Sequence, residues 1–88
     1  MRALLLATFF AMCSGVALAG PQCTSAPKEK WLTEEAMKAK ATALGYSYKV
    51  FKVTDGNCYE IYGFNKSGQR VEVYFDPVTG QVHTENKS

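Results

Sequence analysis

The sequence predicts an α+β domain, with one N-terminal helix packed on a three- to four-stranded antiparallel β-meander. Three observations lead to this fold class. Residues 34–44 have helical spacing and capping residues, residues 46–83 show a period of two, and short turn sequences interrupt that second pattern. Short turns join neighbouring strands as hairpins, so the helix is left to cover one face of the sheet.

Residues 1–19 precede this domain and have the features of a signal peptide. Arg2 supplies the positive start, an apolar run follows, and residues 17–19 match the small-x-small cleavage pattern. We predict cleavage after Ala19. A transmembrane anchor is disfavoured because Ser14 interrupts the run, which is shorter than the roughly 20 apolar residues that span a bilayer. The expected location is therefore periplasmic or secreted, without stable membrane insertion.

The charge balance of the mature chain excludes two classes of partner. Removal of residues 1–19 from the 88-residue chain leaves 69 residues, with nine Lys or Arg against eight Asp or Glu. Nucleic-acid binding draws on a concentrated basic surface, whereas these charges are interleaved along the chain. The same mixture contains no polybasic membrane patch. We predict no nucleic-acid partner.

Two cysteines remain after cleavage, Cys23 and Cys58. A domain this short buries a modest core and usually needs a covalent link, and an exported chain reaches a compartment where disulfides persist. We predict a Cys23–Cys58 disulfide. A redox-active pair is less favoured, because the C-x-x-C spacing is missing. The bond would tie an extended lead-in, residues 20–31, to the domain of residues 32–88.

The helix is predicted over residues 34–44 from the chemistry of its ends. Thr33 is a suitable N-cap, Glu34 and Glu35 favour the positive end of the helix dipole, and Gly45 suits a left-handed C-terminal cap. Small residues dominate the face expected to pack on the sheet. This face is predicted to comprise Leu32, Ala36, Ala39 and Ala43, with Met37, Ala41 and Leu44 beside it.

The strands are predicted at residues 46–54, 57–64, 69–75 and 81–83. A two-residue Asp55-Gly56 turn would pair Val50 with Ile61, and a second hairpin with a bulge at Gly68 would pair Ile61 with Val73. This register turns one set of residues towards the helix: Tyr48, Val50, Tyr59, Ile61, Val71, Val73 and Phe75.

Four aromatic residues fall on the opposite face in this register. They form a candidate partner surface: Phe51, Tyr62, Phe64 and Tyr74. Exposed aromatic clusters can mark interaction sites. The alternative, which the sequence leaves equally open, is that charged side chains or the lead-in peptide cover them.

Four segments carry a resemblance to the PepSY family, which extends over nearly all of the mature chain. They are the helix start at residues 31–36, the helix end at residues 43–46, the turn and strand at residues 55–61, and the strand at residues 71–82 with its Asp-Pro-Val-Thr-Gly-Gln-Val ending. The resemblance implies a helix on an antiparallel sheet. PepSY domains occur in the propeptides of secreted thermolysin-like peptidases and in the germination protein YpeB, and the family has been proposed to restrain peptidases. No defined set of functional residues can be carried over.

The sequence offers little catalytic chemistry. His83 is the only histidine, so no nucleophile has a second histidine as base, and it has only Glu85 nearby as a possible metal partner. Glu60 and Glu72 are better explained by cross-strand ion pairs than as a catalytic pair. We therefore predict no enzyme activity, no metal site and no cofactor.

The expected function is that of a monomeric, non-enzymatic exported module with a protein partner. Inhibition or modulation of a peptidase is implied by the resemblance alone. Two alternatives remain open: an extracytoplasmic sensor or ligand-binding domain, and a structural envelope protein.

Overall fold

A computed structural model describes residues 20–88. The predicted signal peptide, residues 1–19, lies outside the described residues. The fold contains one α-helix and a four-stranded antiparallel sheet with the strand order β1-β2-β3-β4. The elements are α1 (Glu34–Ala43), β1 (Ser47–Val53), β2 (Tyr59–Phe64), β3 (Arg70–Phe75) and β4 (Val82–Lys87).

The α+β meander is thus confirmed, with two differences at its ends. The helix is not the first element, because a short 3₁₀ helix, Lys28–Lys30, precedes it. Strand β4 continues to Lys87 instead of ending at His83, and it pairs with β3 as far as the Val71–Lys87 pair. The polar sequence of β4 carries little periodic signal, so pairing with β3 decides its length.

The helix caps form as predicted, but the buried face of α1 differs. Thr33 Oγ1 accepts a hydrogen bond from the Ala36 amide at 3.1 Å. Met37 and Ala41, one turn apart, are the helix residues with no exposed surface. The predicted stripe was wrong, since three of its members are exposed: Ala36, Ala39 and Ala43. Met37 is the largest apolar side chain of the helix, and its burial contributes more than that of an alanine.

The register of β1 also differs from the prediction. The first hairpin has a three-residue loop, in which the Thr54 amide donates to the Cys58 carbonyl at 2.9 Å and Asn57 has a φ of 61°. Asparagine tolerates this left-handed conformation. As a result Phe51, not Val50, lies opposite Ile61. One extra loop residue exchanges the two faces of the strand.

A bulge in β1 restores the predicted register at the far end of the hairpin. The pairing shifts between Tyr48 and Val50, and Tyr48 lies opposite Gly63 as expected. Gly63 permits a close approach there, because an added Cβ would lie 1.9 Å from the Ser47 carbonyl oxygen. Both Tyr48 and Phe51 therefore pack against the core on the helix side.

The second hairpin agrees with the sequence prediction. Phe64 lies opposite Arg70, and Ile61 lies opposite Val73. Gly68 has a φ of 83°, the left-handed conformation required at the end of this turn. The core between sheet and helix consists of Met37, Ala41, Tyr59, Ile61, Val71, Val73 and Phe75.

The lead-in peptide follows the surface around the β1–β2 turn. Cys23 forms a disulfide with Cys58, and its amide donates to the Gly56 carbonyl at 2.9 Å. Upstream, Gly20 lies against the Tyr74 ring. Downstream, Trp31 packs edge-on against Tyr59 on the helix side, with ring centroids 5.6 Å apart. The lead-in therefore contacts both faces of the sheet.

Candidate functional site

The sheet face opposite the helix, here called the outer face, carries three exposed apolar side chains on β1 and β2. Val50 is 44% exposed, Tyr62 38% and Phe64 40%. Val50 lies directly opposite Tyr62, and all three border a groove of about 230 Å³. We call Val50, Tyr62 and Phe64 the outer-face patch. Among residues 20–88, it holds half of the six exposed large hydrophobic side chains.

The structure separates the four aromatic residues that the sequence grouped together. Tyr62 and Phe64 lie in the outer-face patch. Placing Phe51 on this face was wrong, because the longer first hairpin turns it towards the helix. Tyr74 does lie on the outer face but is only 9% exposed, since the lead-in packs on it at Gly20.

Charged side chains cover part of the remaining two rings. The Lys52 ammonium lies 5.1 Å from the centroid of the Tyr62 ring, and the Arg70 guanidinium lies 5.7 Å from that of Phe64. The coverage by charged side chains and by the lead-in, which the sequence left open, is therefore present in part. The lead-in and the cations cover some aromatic surface, and a patch remains accessible between them.

Sequence reasoning did not place Val50 in this patch. The signal was Asn57, which is suited to the left-handed position that closes a three-residue loop. Reading the turn as Asp55-Gly56 alone assigned Val50 to the core and Phe51 to the surface. A single turn residue thus exchanged one patch member.

A buried acidic group lies beside the patch on the outer face. Glu60 is 2% exposed and stands between Lys52 on β1 and Tyr74 on β3. The Lys52 ammonium is 3.8 Å from Glu60 Oε1, while Glu60 Oε2 has no hydrogen-bond partner among residues 20–88. Burial raises the pKa of the Glu60 carboxyl, and the Lys52 charge opposes that rise.

Neighbouring tyrosine and glutamate groups surround this carboxylate. The Tyr74 hydroxyl donates a long hydrogen bond of 3.5 Å to Glu72 Oε1. Burial, followed by the charge of Glu60, raises the pKa of Tyr74 to about 12. A cavity of about 230 Å³ opens here, lined by Lys52, Val53, Thr54, Asp55, Glu60, Tyr62 and Tyr74. We call it the Glu60 pocket.

His83 lies on β4 away from these groups and is exposed, with Nδ1 2.8 Å from Thr84 Oγ1. In the part of the chain that the structure describes, no three His, Cys, Asp or Glu side chains are grouped to hold a metal ion. Over the same residues, no helix has the length and apolar character needed to cross a membrane.

Comparison with protein-family models identifies the fold. The model described as the peptidase propeptide and YPEB domain matches residues 3–86, which include α1, β1, β2, β3 and all of β4 except its last residue, Lys87. The chain belongs to the PepSY family. Neither the curated proteins nor the solved structures that were searched contain a match.

The residues that carried the resemblance in the sequence have structural roles in this PepSY chain. Thr33 caps the helix, and Asp76 Oδ1 accepts a hydrogen bond from the Val78 amide at 2.8 Å. The Asp-Pro-Val-Thr-Gly motif of this PepSY chain therefore shapes the turn that leads into β4. Its recognisable residues build the fold, while the outer-face patch supplies the accessible apolar surface.

Proposed function

We propose that this PepSY protein is an exported, non-enzymatic interaction module that binds a peptidase through the outer-face patch and inhibits or modulates it. The observation that carries the binding proposal is the grouping of Val50, Tyr62 and Phe64 on one exposed sheet face. The choice of a peptidase rests on the family, whose description names peptidase propeptides.

The patch has the physical properties of a binding anchor. Paired strands hold Val50 and Tyr62 at fixed positions, so little conformational entropy is lost when a partner covers them. Tyrosine and arginine are enriched among residues that dominate binding energy. Arg70 and Lys52 stand beside the two rings and supply a positively charged rim.

Export is supported by the covalent link between the lead-in and the sheet. The Cys23–Cys58 disulfide closes a separation of 35 residues. Such bonds persist in the periplasm and outside the cell, where glutathione does not reduce them. We place the functional protein there, after removal of the predicted signal peptide.

The experiment that tests this proposal uses the mature protein collected after export. Peptidases in a periplasmic or secreted extract are assayed on a fluorogenic peptide with and without the mature protein. Complexes with the mature protein are captured and identified by mass spectrometry. We expect one peptidase to be captured and its hydrolysis rate to change. Capture of a non-peptidase protein would contradict the peptidase assignment, and an inert extract would contradict the interaction proposal.

The binding surface is tested by truncating two patch residues. Tyr62→Ala and Phe64→Ala should each weaken binding to the captured peptidase by about 30-fold or more, as expected when a binding anchor is removed. Val82→Ala is the matched control, because Val82 is 40% exposed but lies on β4. Circular dichroism checks that the variants fold. Equal binding by all four proteins would show that the partner contacts another surface.

A further inference from the structure

The carboxylate of Glu60 is the least satisfied buried group in the described part of the chain. Its Oε1 has a single distant cation, at 3.8 Å, and its Oε2 has no hydrogen-bond partner among residues 20–88. Burial of an ionised oxygen without a partner is costly, so such groups normally bind a donor or a cation. The Tyr74 and Tyr62 hydroxyls lie close enough to favour the charged form of Glu60 and so oppose the rise in its pKa, and Oε2 can still accept a further donor or cation.

The charges around the Glu60 pocket also favour a cation. Asp55 at the first turn and Glu72 on β3 add negative charge, while Lys52 is the basic residue that lines the pocket. The Lys52 side chain is half exposed, and its ammonium also lies over the Tyr62 ring. Tyr62 and Tyr74 contribute hydroxyl oxygens, which can accept hydrogen bonds from an ammonium group.

Gly20 lies against Tyr74, one of the residues that line this pocket. A Cβ built on Gly20 would lie 3.1 Å from Tyr74 Oη and 3.1 Å from Tyr74 Cε2. Its φ of 84° and this close contact both favour glycine. Three residues further on, Cys23 is held by its disulfide and by the hydrogen bond to Gly56. The backbone at Gly20 is therefore anchored beside the Tyr74 hydroxyl.

We propose that the α-ammonium group of Gly20, created by signal-peptide cleavage after Ala19, binds in the Glu60 pocket and forms an ion pair with Glu60. The inference rests on the predicted cleavage site and is independent of any partner. Hydrolysis consumes one water: the Ala19 carbonyl carbon gains the hydroxyl and leaves as a carboxylate. The Gly20 nitrogen gains hydrogen and is protonated at neutral pH.

The ion pair gives the lead-in a further anchor, beyond the disulfide and at the opposite end from Trp31. Before cleavage the Gly20 nitrogen is a neutral amide, and Lys52 is the one cation paired with Glu60 among residues 20–88. After cleavage the terminus compensates the buried charge and holds the lead-in over Tyr74. Signal-peptide cleavage thereby completes the contacts that hold the lead-in on the outer face.

The reactivity of the Gly20 amine tests this proposal in the exported protein. An ammonium paired with a carboxylate loses its proton less readily, and one pKa unit corresponds to a tenfold change in the reactive amine at neutral pH. We expect an amine-specific reagent to label Gly20 about tenfold more slowly in the wild type than in Glu60→Gln. Intact mass establishes the first residue, and peptide mapping quantifies labelling at Gly20.

Two further variants control for effects on the fold. Glu35→Gln removes an exposed carboxylate at the start of α1 and should label at the wild-type rate. Insertion of one glycine between Ala19 and Gly20 moves the ammonium away while keeping Glu60, and should label as fast as Glu60→Gln. Equal labelling of the wild type and Glu60→Gln, or a mature terminus other than Gly20, would overturn the proposal.

Discussion

At the scale of single residues, three tyrosine hydroxyls have a raised pKa, and the shifts of Tyr46 and Tyr74 are the large ones. The Tyr46 hydroxyl donates to Glu85 Oε1 at 3.0 Å, linking the start of β1 to β4. Burial, together with this hydrogen bond and the charge of Glu85, raises the pKa of Tyr46 from 10 to about 12. The pKa of Tyr74 rises to the same value, first because of burial.

These two pKa shifts predict that stability falls at alkaline pH. Between pH 10 and about 12 both phenols are ionised in the unfolded chain but protonated in the folded one. The unfolded state then binds fewer protons, so the free energy of unfolding decreases as pH rises. The contribution of the two protonated hydroxyls to the free energy of unfolding is complete below pH 10 and is lost as pH passes through the folded-state pKa of about 12.

Urea unfolding at a series of pH values measures this effect. Tyr46→Phe and Tyr74→Phe should each flatten the decline in unfolding free energy above pH 10, and the double variant should flatten it most. A decline of the same steepness in the wild type and all three variants would contradict the assigned pKa shifts.

At the scale of elements, the short helix depends on two buried side chains for its packing on the sheet. Met37 fills the core, and Ala41 has no exposed surface. A helix of ten residues is only marginally stable by itself in water, so these contacts decide its position. The exposed alanines of α1 favour helix formation but do not set its distance from the sheet.

A pair of matched substitutions tests the helix face. Ala41→Leu should reduce the free energy of unfolding by about 1–3 kcal/mol, because three added carbons cannot fit at a fully packed position. Ala43→Leu, which places the same side chain on the exposed face, should change it by less than about 0.5 kcal/mol. Urea denaturation compares the two. Equal destabilisation, or a larger effect of Ala43→Leu, would mean that α1 is rotated relative to this description.

At the scale of the whole molecule, the lead-in joins surfaces that the helix and sheet leave separate. Leu32, the residue directly after the lead-in, is held by both of its backbone groups: Tyr59 donates to its carbonyl at 2.6 Å, and its amide donates to the Pro77 carbonyl at 2.8 Å. At the other end, the disulfide holds the lead-in at the first hairpin. These contacts attach the lead-in to the small core at both of its ends.

Removal of the disulfide should therefore cost much of the stability. Closing a separation of 35 residues is worth about 3–4 kcal/mol in the loop-entropy model. The Cys23→Ser/Cys58→Ser double variant should unfold at a lower urea concentration, because its free energy of unfolding is about 3–4 kcal/mol below that of the wild type. A reducing agent should destabilise the wild type and leave the double variant unchanged. A loss below about 1 kcal/mol would show that the lead-in contributes little to the folded domain.

The sequence by itself determined the features that depend on local chemistry. Thr33 caps the helix because its side chain reaches an amide three residues on, and Gly68 closes the second hairpin because that position requires a positive φ. The pairing of Cys23 with Cys58, present in the structure, follows from the two cysteines that lie after the predicted cleavage site. These features depend only on neighbouring residues or on the number of cysteines.

The tertiary structure alone decided which side chains are covered. The alanines of α1 lie on several sides of the helix, so periodicity could not identify the Met37–Ala41 face as the buried one. Packing on the sheet determines which face is buried. One extra loop residue exchanged Val50 with Phe51, because successive strand residues point to opposite faces. Tyr74 became buried through Gly20, 54 positions away in the sequence. Such contacts form between distant segments and leave no periodic pattern in either one.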